Sequence, residues 1–217
     1  MDRRQQYREQ TREEAKRIAL DQLAEHGTAG ISVNAIGKRM GVTGPALYRY
    51  FANRDALLTE LISDGYEDFA DTLTAAAATG GTPADRLRAT AGALREWALA
   101  APHRYLLLFG TPVPGYEAPA HTLTTATRAM AAVLSTAPAD DRRAPAGELD
   151  EQVAAWGVGI GQPGLTPRQL HWGLQVWTRL HGLLSLEVAN QFALSGIDPA
   201  LLYRAEVEAL VACWESR

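Results

Sequence analysis

Sulfur and long apolar runs are what this chain has least of. One cysteine, Cys213, among 217 residues excludes an intrachain disulfide framework and makes a reducing cytoplasm the natural setting. No run approaches the ~20 apolar residues that a membrane span needs. The opening MDRRQQYREQTREEAKR lacks the apolar stretch of a signal peptide. Period-2 alternation is missing, so no strand stands out. The histidines at 26, 103, 121, 171 and 181 lack metal-ligand spacing, and no Ser/His/Asp set can be nominated. Gly157, Gly159 and Gly161 have neither a preceding strand nor a basic residue in the loop to make a nucleotide loop. No catalytic residue, metal or cofactor is therefore expected.

What the chain does have is apolar residues, 47% of the total, spaced for helices. An all-α fold follows. Helix 1 is expected from about Gln10 to His26, with Ala15, Ile18, Ala19, Gln22 and Leu23 on one face. Ser32 can cap a second helix that turns Val33, Ile36 and Met40 inward, and Asn53 a fourth that runs to about Ala78. Thr82-Pro83, Thr166-Pro167 and Asp198-Pro199 each pair an N-cap with proline at the first helical position. They mark helices over about 83–100, 167–191 and 199–215. Shorter helices are expected after Pro102 and near 118–136 and 148–160, with 137–147 a surface loop. The net charge of −4 is uneven: residues 1–60 carry +2 and the remainder −6. A positive N-terminal module on an acidic body is compatible with nucleic-acid binding, since only the docking face must be basic.

That module contains the most specific stretch, Ser32–Phe51, SVNAIGKRMGVTGPALYRYF. It reads as two short helices joined at Gly41, a position that favours positive φ. Leu47 and Phe51, four apart, face the core. Thr43, as cap of the second helix, is placed for a phosphate or base edge. Gly44 allows close approach of a DNA backbone, and Pro45 can touch a thymine methyl. Tyr48 and Tyr50 offer phosphate hydrogen bonds, with Arg49 between them. Ser32 and Arg54 sit at helix starts, where an anion is welcome. Lys38 and Arg39 are expected as solvated charges. Arg3 and Arg4 could serve as a minor-groove arm, although a disordered terminus is expected.

The run SVNAIGKRMGV-TGPALYRYF-ANRDALL, behind an amphipathic helix, resembles the TetR-type (tetracycline-repressor-like) transcriptional regulators over about residues 10–61. The carrying residues are Ile36, Gly41, Leu47-Tyr48-Arg49-Tyr50-Phe51 and Arg54-Asp55-Ala56-Leu57. A looser likeness, Trp177-Thr178-Arg179-Leu180-His181-Gly182, is to the C-terminal domain of one subgroup with a Trp-His-Gly signature. The resemblance implies a homodimer that binds a palindromic double-stranded operator, usually as a repressor. It implies an N-terminal three-helix helix-turn-helix domain over 1–55, with helix 4 linking from about 54. A helical ligand-binding and dimerisation domain over 56–217 follows, with a small-molecule effector of unknown identity. Gly44-Pro45 departs from the polar pair of many members. Tyr50 and Arg54 stand where histidine and lysine are common.

In the body, five tryptophans among many alanines suggest an aromatic-lined cavity. Its candidates are Trp97, His103, Tyr105, Phe109, His121, Met130, Trp156, Trp172, Trp177 and His181. Leu170, Leu174, Trp177, His181, Leu184 and Val188 form one stripe, and Tyr203, Val207, Leu210 and Trp214 another. The first of these helices is also apolar at Trp172, Val176, Leu180 and Leu183, so it is expected to be buried on two sides. One side is its own core. The other is a second copy of the chain, with Leu174, Leu184, Val188, Val207, Leu210 and Trp214 as the interface; the alternative is full burial within one chain. Competing functions are control by a protein partner, or a helical enzyme or carrier using the aromatic cavity.

Overall fold

The computed structural model describes residues 2–111, 113, 115–140 and 147–215. Among them there are ten α-helices and no strand, and no helix is long and apolar enough to cross a membrane. The helices are α1 (Arg3–His26), α2 (Val33–Arg39), α3 (Gly44–Leu47), α4 (Arg54–Ala77) and α5 (Pro83–Ala100), then α6 (Pro102–Phe109), α7 (Ala120–Ser135), α8 (Glu148–Gly159), α9 (Pro167–Val188) and α10 (Pro199–Glu215). Two compact units result. One comprises residues 1–66 and 101–122, the other 67–100 and 123–217. The long α4 runs through both units, and α6 returns to the first.

The first unit is built around Ala15, Ile18, Ala19 and Leu23 of α1, Val33 and Ile36 of α2, Leu47 and Phe51, and Leu57, Leu58, Leu61 and Ile62 of α4, with Leu107 of α6 joining them. Gln22 lies within the apolar stripe of α1 for a polar reason: its Oε1 accepts the Ser32 N–H at 3.0 Å. The α1 helix starts seven residues before the expected Gln10. The Asp2 carboxylate accepts the Arg4 N–H, which satisfies one of the orphan donors at the helix start. Arg3 and Arg4 are thus helical, not a disordered arm.

The second unit surrounds α9, which packs against α5, α8 and α10. A capping box starts α9: Thr166 Oγ1 accepts the Gln169 N–H at 3.2 Å, and Gln169 Oε1 accepts the Thr166 N–H at 3.0 Å. The helix ends at Val188, three residues earlier than expected, and Asn190 follows at φ 56°. Asparagine tolerates that left-handed conformation. Gly157 allows the close approach of α8 to α9, because a Cβ there would lie 2.6 Å from Leu170 Cδ1. The Tyr203 hydroxyl donates to the Ala91 carbonyl at 2.9 Å, tying α10 to α5. Arg95 of α5 grips Glu187 of α9 through two bonds of 2.9 and 2.5 Å. Of the expected loop 137–147, residues 141–146 lie outside the described residues. Pro138 and Asp140 are fastened, by Gln169 Nε2 at 2.9 Å and Thr166 Oγ1 at 2.7 Å.

Candidate nucleic-acid interface

In the first unit α2 and α3 are separated by Met40–Thr43, and Gly41 turns the chain at φ 71°. The Ser32 Oγ caps α2 by accepting the Ala35 N–H at 3.3 Å. The carbonyl of Thr43 accepts from the N–H groups of Ala46 and Leu47, at 2.9 and 3.3 Å. At four residues, α3 is far below the length at which a helix holds itself. Its position is set by Leu47 and Phe51, which are fully buried. The bonds Tyr50 N–H to Leu47 O at 2.9 Å and Phe51 N–H to Leu47 O at 3.2 Å carry the helical turn onward to Phe51.

Facing inward at 47 and 51 forces the intervening side chains outward. Tyr48, Arg49, Pro45 and Thr43 are exposed, as is Ser32. Gly44 opens α3. Tyr50 is half-buried and packs on the first core, while also lining a surface concavity with residues of α1. Arg12, a residue that sequence reasoning passed over, fixes this end of the element. Its guanidinium donates to the Tyr50 carbonyl at 3.0 Å, lies 5.1 Å from the centre of the Phe51 ring and pairs with Glu60. The available signal was its place three residues before Ala15, bordering the apolar stripe.

Arg54 departs from expectation. Its Nη2 donates to the Thr28 carbonyl at 2.6 Å and its Nε to the Ile31 carbonyl at 3.3 Å. Those carbonyls bound the tight turn between α1 and α2, so the side chain is a strut from α4 to that turn. The Nε proton and one Nη2 proton are spent on backbone oxygens and are not available to a phosphate, while Nη1 lies 4.0 Å from Asp55. Arg39, too, is bound rather than merely solvated, lying 2.8 Å from Asp21.

The aromatic candidates fall in separate clusters. In the second unit the Phe69 ring lies 4.8 Å from that of Trp97 and 6.3 Å from that of Trp177, and His181 stacks on Trp177 at 4.9 Å. The indole N–H of Trp97 donates to Asp68 at 2.7 Å. Burial holds His181 below the usual histidine range, so it is a neutral donor or acceptor near pH 7. Met130 and Trp156 pack elsewhere in that unit, against Leu134, Val153 and Leu170. Trp172 lines a small cavity of about 230 Å³ with Leu87, Thr136 and Val211. In the first unit Phe109 contacts Tyr105 at 5.2 Å and Tyr66 at 5.9 Å. His103 lines a groove between the ends of α1 and α6, and burial and the neighbouring Arg104 hold it below the usual range. The side chains of His121 and Trp214 lie outside the described residues.

The expected interface is corrected by burial at three of its positions, Leu184, Val207 and Leu210. Leu184 is 0% exposed, Leu210 1% and Val207 6%, all within one chain. Leu174 and Val188 are half-buried. Leu184, Val207 and Leu210 fill the chain's own core, where α9 packs against α5, α8 and α10. The exposed apolar residues of the α9–α10 region are instead Leu186, Leu194, Ile197, Leu201 and Leu202.

A glycine turn, a short helix held by two buried anchors, and hydroxyl, phenol and guanidinium groups turned outward define a helix-turn-helix DNA-binding module. Residues 17–61 match the family model "Bacterial regulatory proteins, tetR family", and residues 87–210 match "Tetracyclin repressor-like, C-terminal domain". The HTH-type transcriptional regulator Rv1816 of Mycobacterium tuberculosis is 34% identical, over 97% of this chain and 94% of its own length; the regulator Mb1846 of Mycobacterium bovis matches equally. The crystal structure of SCO4313, described as a regulatory protein, superposes with a TM-score of 0.86 at 46% identity, covering 97% of this chain and all of that one. FadR of Bacillus subtilis, crystallised with stearoyl-CoA, shares the fold at 17% identity and a TM-score of 0.57, over 91% of this chain and 96% of its own. The chain belongs to the TetR family: it is a DNA-binding transcriptional regulator and not an enzyme.

Proposed function

We propose that this regulator is a cytoplasmic repressor that binds a palindromic operator as a homodimer and is released by a small apolar or aromatic molecule. Two α3 elements would then meet successive major grooves about 34–36 Å apart. Tyr48 and Tyr50 bind phosphates, Thr43 and Pro45 approach base edges, and Arg49 adds charge. Dimerisation uses the exposed apolar residues of the α9–α10 region, with Leu186 and Leu201 at 47% and 58% exposure; burying them against a second copy would remove apolar surface from water. The observation that carries the sensing half is the aromatic set Phe69, Trp97, Trp177 and His181, which pairs flat apolar faces with a neutral imidazole. Release needs only differential affinity. An effector that prefers a conformer with mismatched α3 spacing draws the population there.

Tryptophan fluorescence tests the sensing half directly. A panel of hydrophobic and aromatic molecules is titrated into the protein, with acyl-CoA esters included because the Bacillus subtilis protein of the same fold was crystallised with one. The reading expects one class to quench emission, raise the melting temperature and release bound operator at the same concentration. A ligand that binds without changing operator affinity would contradict effector-driven release.

A further inference from the structure

The lysines and arginines of residues 1–60 divide into two groups. Arg12 pairs with Glu60, Lys16 with Asp64 and Glu13, and Arg17 and Arg39 with Asp21, while Arg54 bonds to backbone carbonyls. Arg3, Arg4, Arg8, Lys38 and Arg49 are exposed and, among the described residues, have no carboxylate partner. Lys38 and Arg49 belong to the helix-turn-helix. The other three lie on the first two turns of α1, where the rotation of about 100° per residue gathers Arg3, Arg4, Tyr7 and Arg8 into one sector. Glu9 and Glu13 fall on the opposite face.

That basic sector adjoins the DNA-reading element. Arg3, Arg4, Tyr7 and Arg8 line one surface concavity together with Tyr50, and Arg12, one turn further along the same side of α1, holds the Tyr50 carbonyl. Asp2 also lines the concavity, and its carboxylate is engaged by the Arg4 N–H as the cap of α1. Tyr7 is 66% exposed, so its phenol is free to donate. Two cations in the first turn of a helix oppose the macrodipole, which disfavours this arrangement in the isolated protein and favours it against an anion.

We propose that the first two turns of α1 form a second DNA-backbone clamp, in which Arg3, Arg4, Arg8 and Tyr7 bind phosphates flanking the bases read by α3. The clamp widens each half-site footprint without adding base specificity. It rests on the reading of α3 as the DNA-contacting element. Because Arg3 and Arg4 are helical, the clamp is a rigid face on the phosphates and not an arm threaded into the minor groove.

The test is the salt dependence of binding to a duplex selected by the wild-type protein, comparing Arg4→Gln/Arg8→Gln with the parent. Both residues are exposed on a helix, and circular dichroism confirms the fold. Each lost phosphate contact lowers the slope of log K against log salt by about 0.9, so losing two per protomer lowers it by about 1.8 per protomer bound. Between 50 and 200 mM salt that is an approximately 12-fold smaller loss of affinity per protomer. The order of preference among operator variants stays the same. An unchanged slope overturns the clamp, and an altered base preference overturns it in favour of minor-groove reading. If the parent selects no duplex at all, the failure lies with the reading of α3 and not with the clamp.

Discussion

Replacing Arg54 by lysine separates two roles that the sequence alone leaves open. A lysine keeps the positive charge that a phosphate would feel but cannot reproduce the guanidinium fork that spans Thr28 O and Ile31 O. A hydrogen bond from a charged donor contributes roughly 1.5–3 kcal/mol net. The 2.6 Å bond to Thr28 belongs in that range and the 3.3 Å bond to Ile31 below it. Arg54 is also one-third exposed, so water and the new ammonium recover part of the loss. Arg54→Lys is therefore expected to cost about 1–2 kcal/mol, and Arg54→Met, which loses both bonds, about 2–3 kcal/mol. For a chain of this length each kcal/mol lowers the melting temperature by about 2–4 °C. Thermal melting followed by circular dichroism reads the stability, and fluorescence anisotropy at several salt concentrations reads operator binding. The strut predicts lower stability in both variants and an unchanged salt slope in the fraction that remains folded. Full stability in both, with the slope reduced by about 0.9 in Arg54→Met alone, would refute it and restore a phosphate contact.

Three further outcomes are expected. Leu201→Glu, at an exposed site, should leave the helical content intact and halve the mass measured by light scattering, whereas Leu184→Ala, at a buried one, should cost about 2–5 kcal/mol; a Leu201→Glu protein of unchanged mass would reject that interface. Burial depresses the folded-state ionisation of both His181 and His103, so the stability they support is complete above the unfolded value near 6.5 and is lost as the pH falls through their lower folded values. Melting temperatures should drop below about pH 6.5, and His181→Phe should reduce that slope without abolishing it. Tyr48→Phe should weaken operator binding by about 2- to 12-fold in a gel-shift assay, the worth of one hydrogen bond, with no change in stability; equal affinity would remove Tyr48 from the interface.

Helix starts were legible because their chemistry is local. Thr82, Thr166 and Asp198 each stand beside a proline, and in the structure each accepts or exchanges a hydrogen bond at its helix start. Gly41 and the Leu47–Phe51 pair were legible for the same reason, since a tight turn and an i, i+4 anchor are short-range patterns. The Asp2 cap was passed over, and with it the first two turns of α1. Partners distant in sequence were harder. The stripes through Leu184 on α9 and Leu210 on α10 show which residues of each helix share a face, but periodicity is blind to whether a neighbouring helix or a second chain covers them. The local signal at Arg54 is its place at a helix start, where a cation suggests an anion. Its actual partners are carbonyls more than twenty residues away, which no spacing announces. The aromatics were recognised as a class, yet composition does not reveal that Phe69, Trp97, Trp177 and His181 meet while Met130 and Trp156 pack elsewhere.

The central claim is that the α2–α3 element reads DNA in a symmetric pair. Selection of bound sequences from random duplex DNA by the purified full-length protein tests it most directly. The account predicts a palindrome whose half-sites are centred about 10 bp apart or a multiple of that. A single asymmetric site would contradict the symmetric pair, and recovery of no sequence even at low salt would contradict DNA reading by α3.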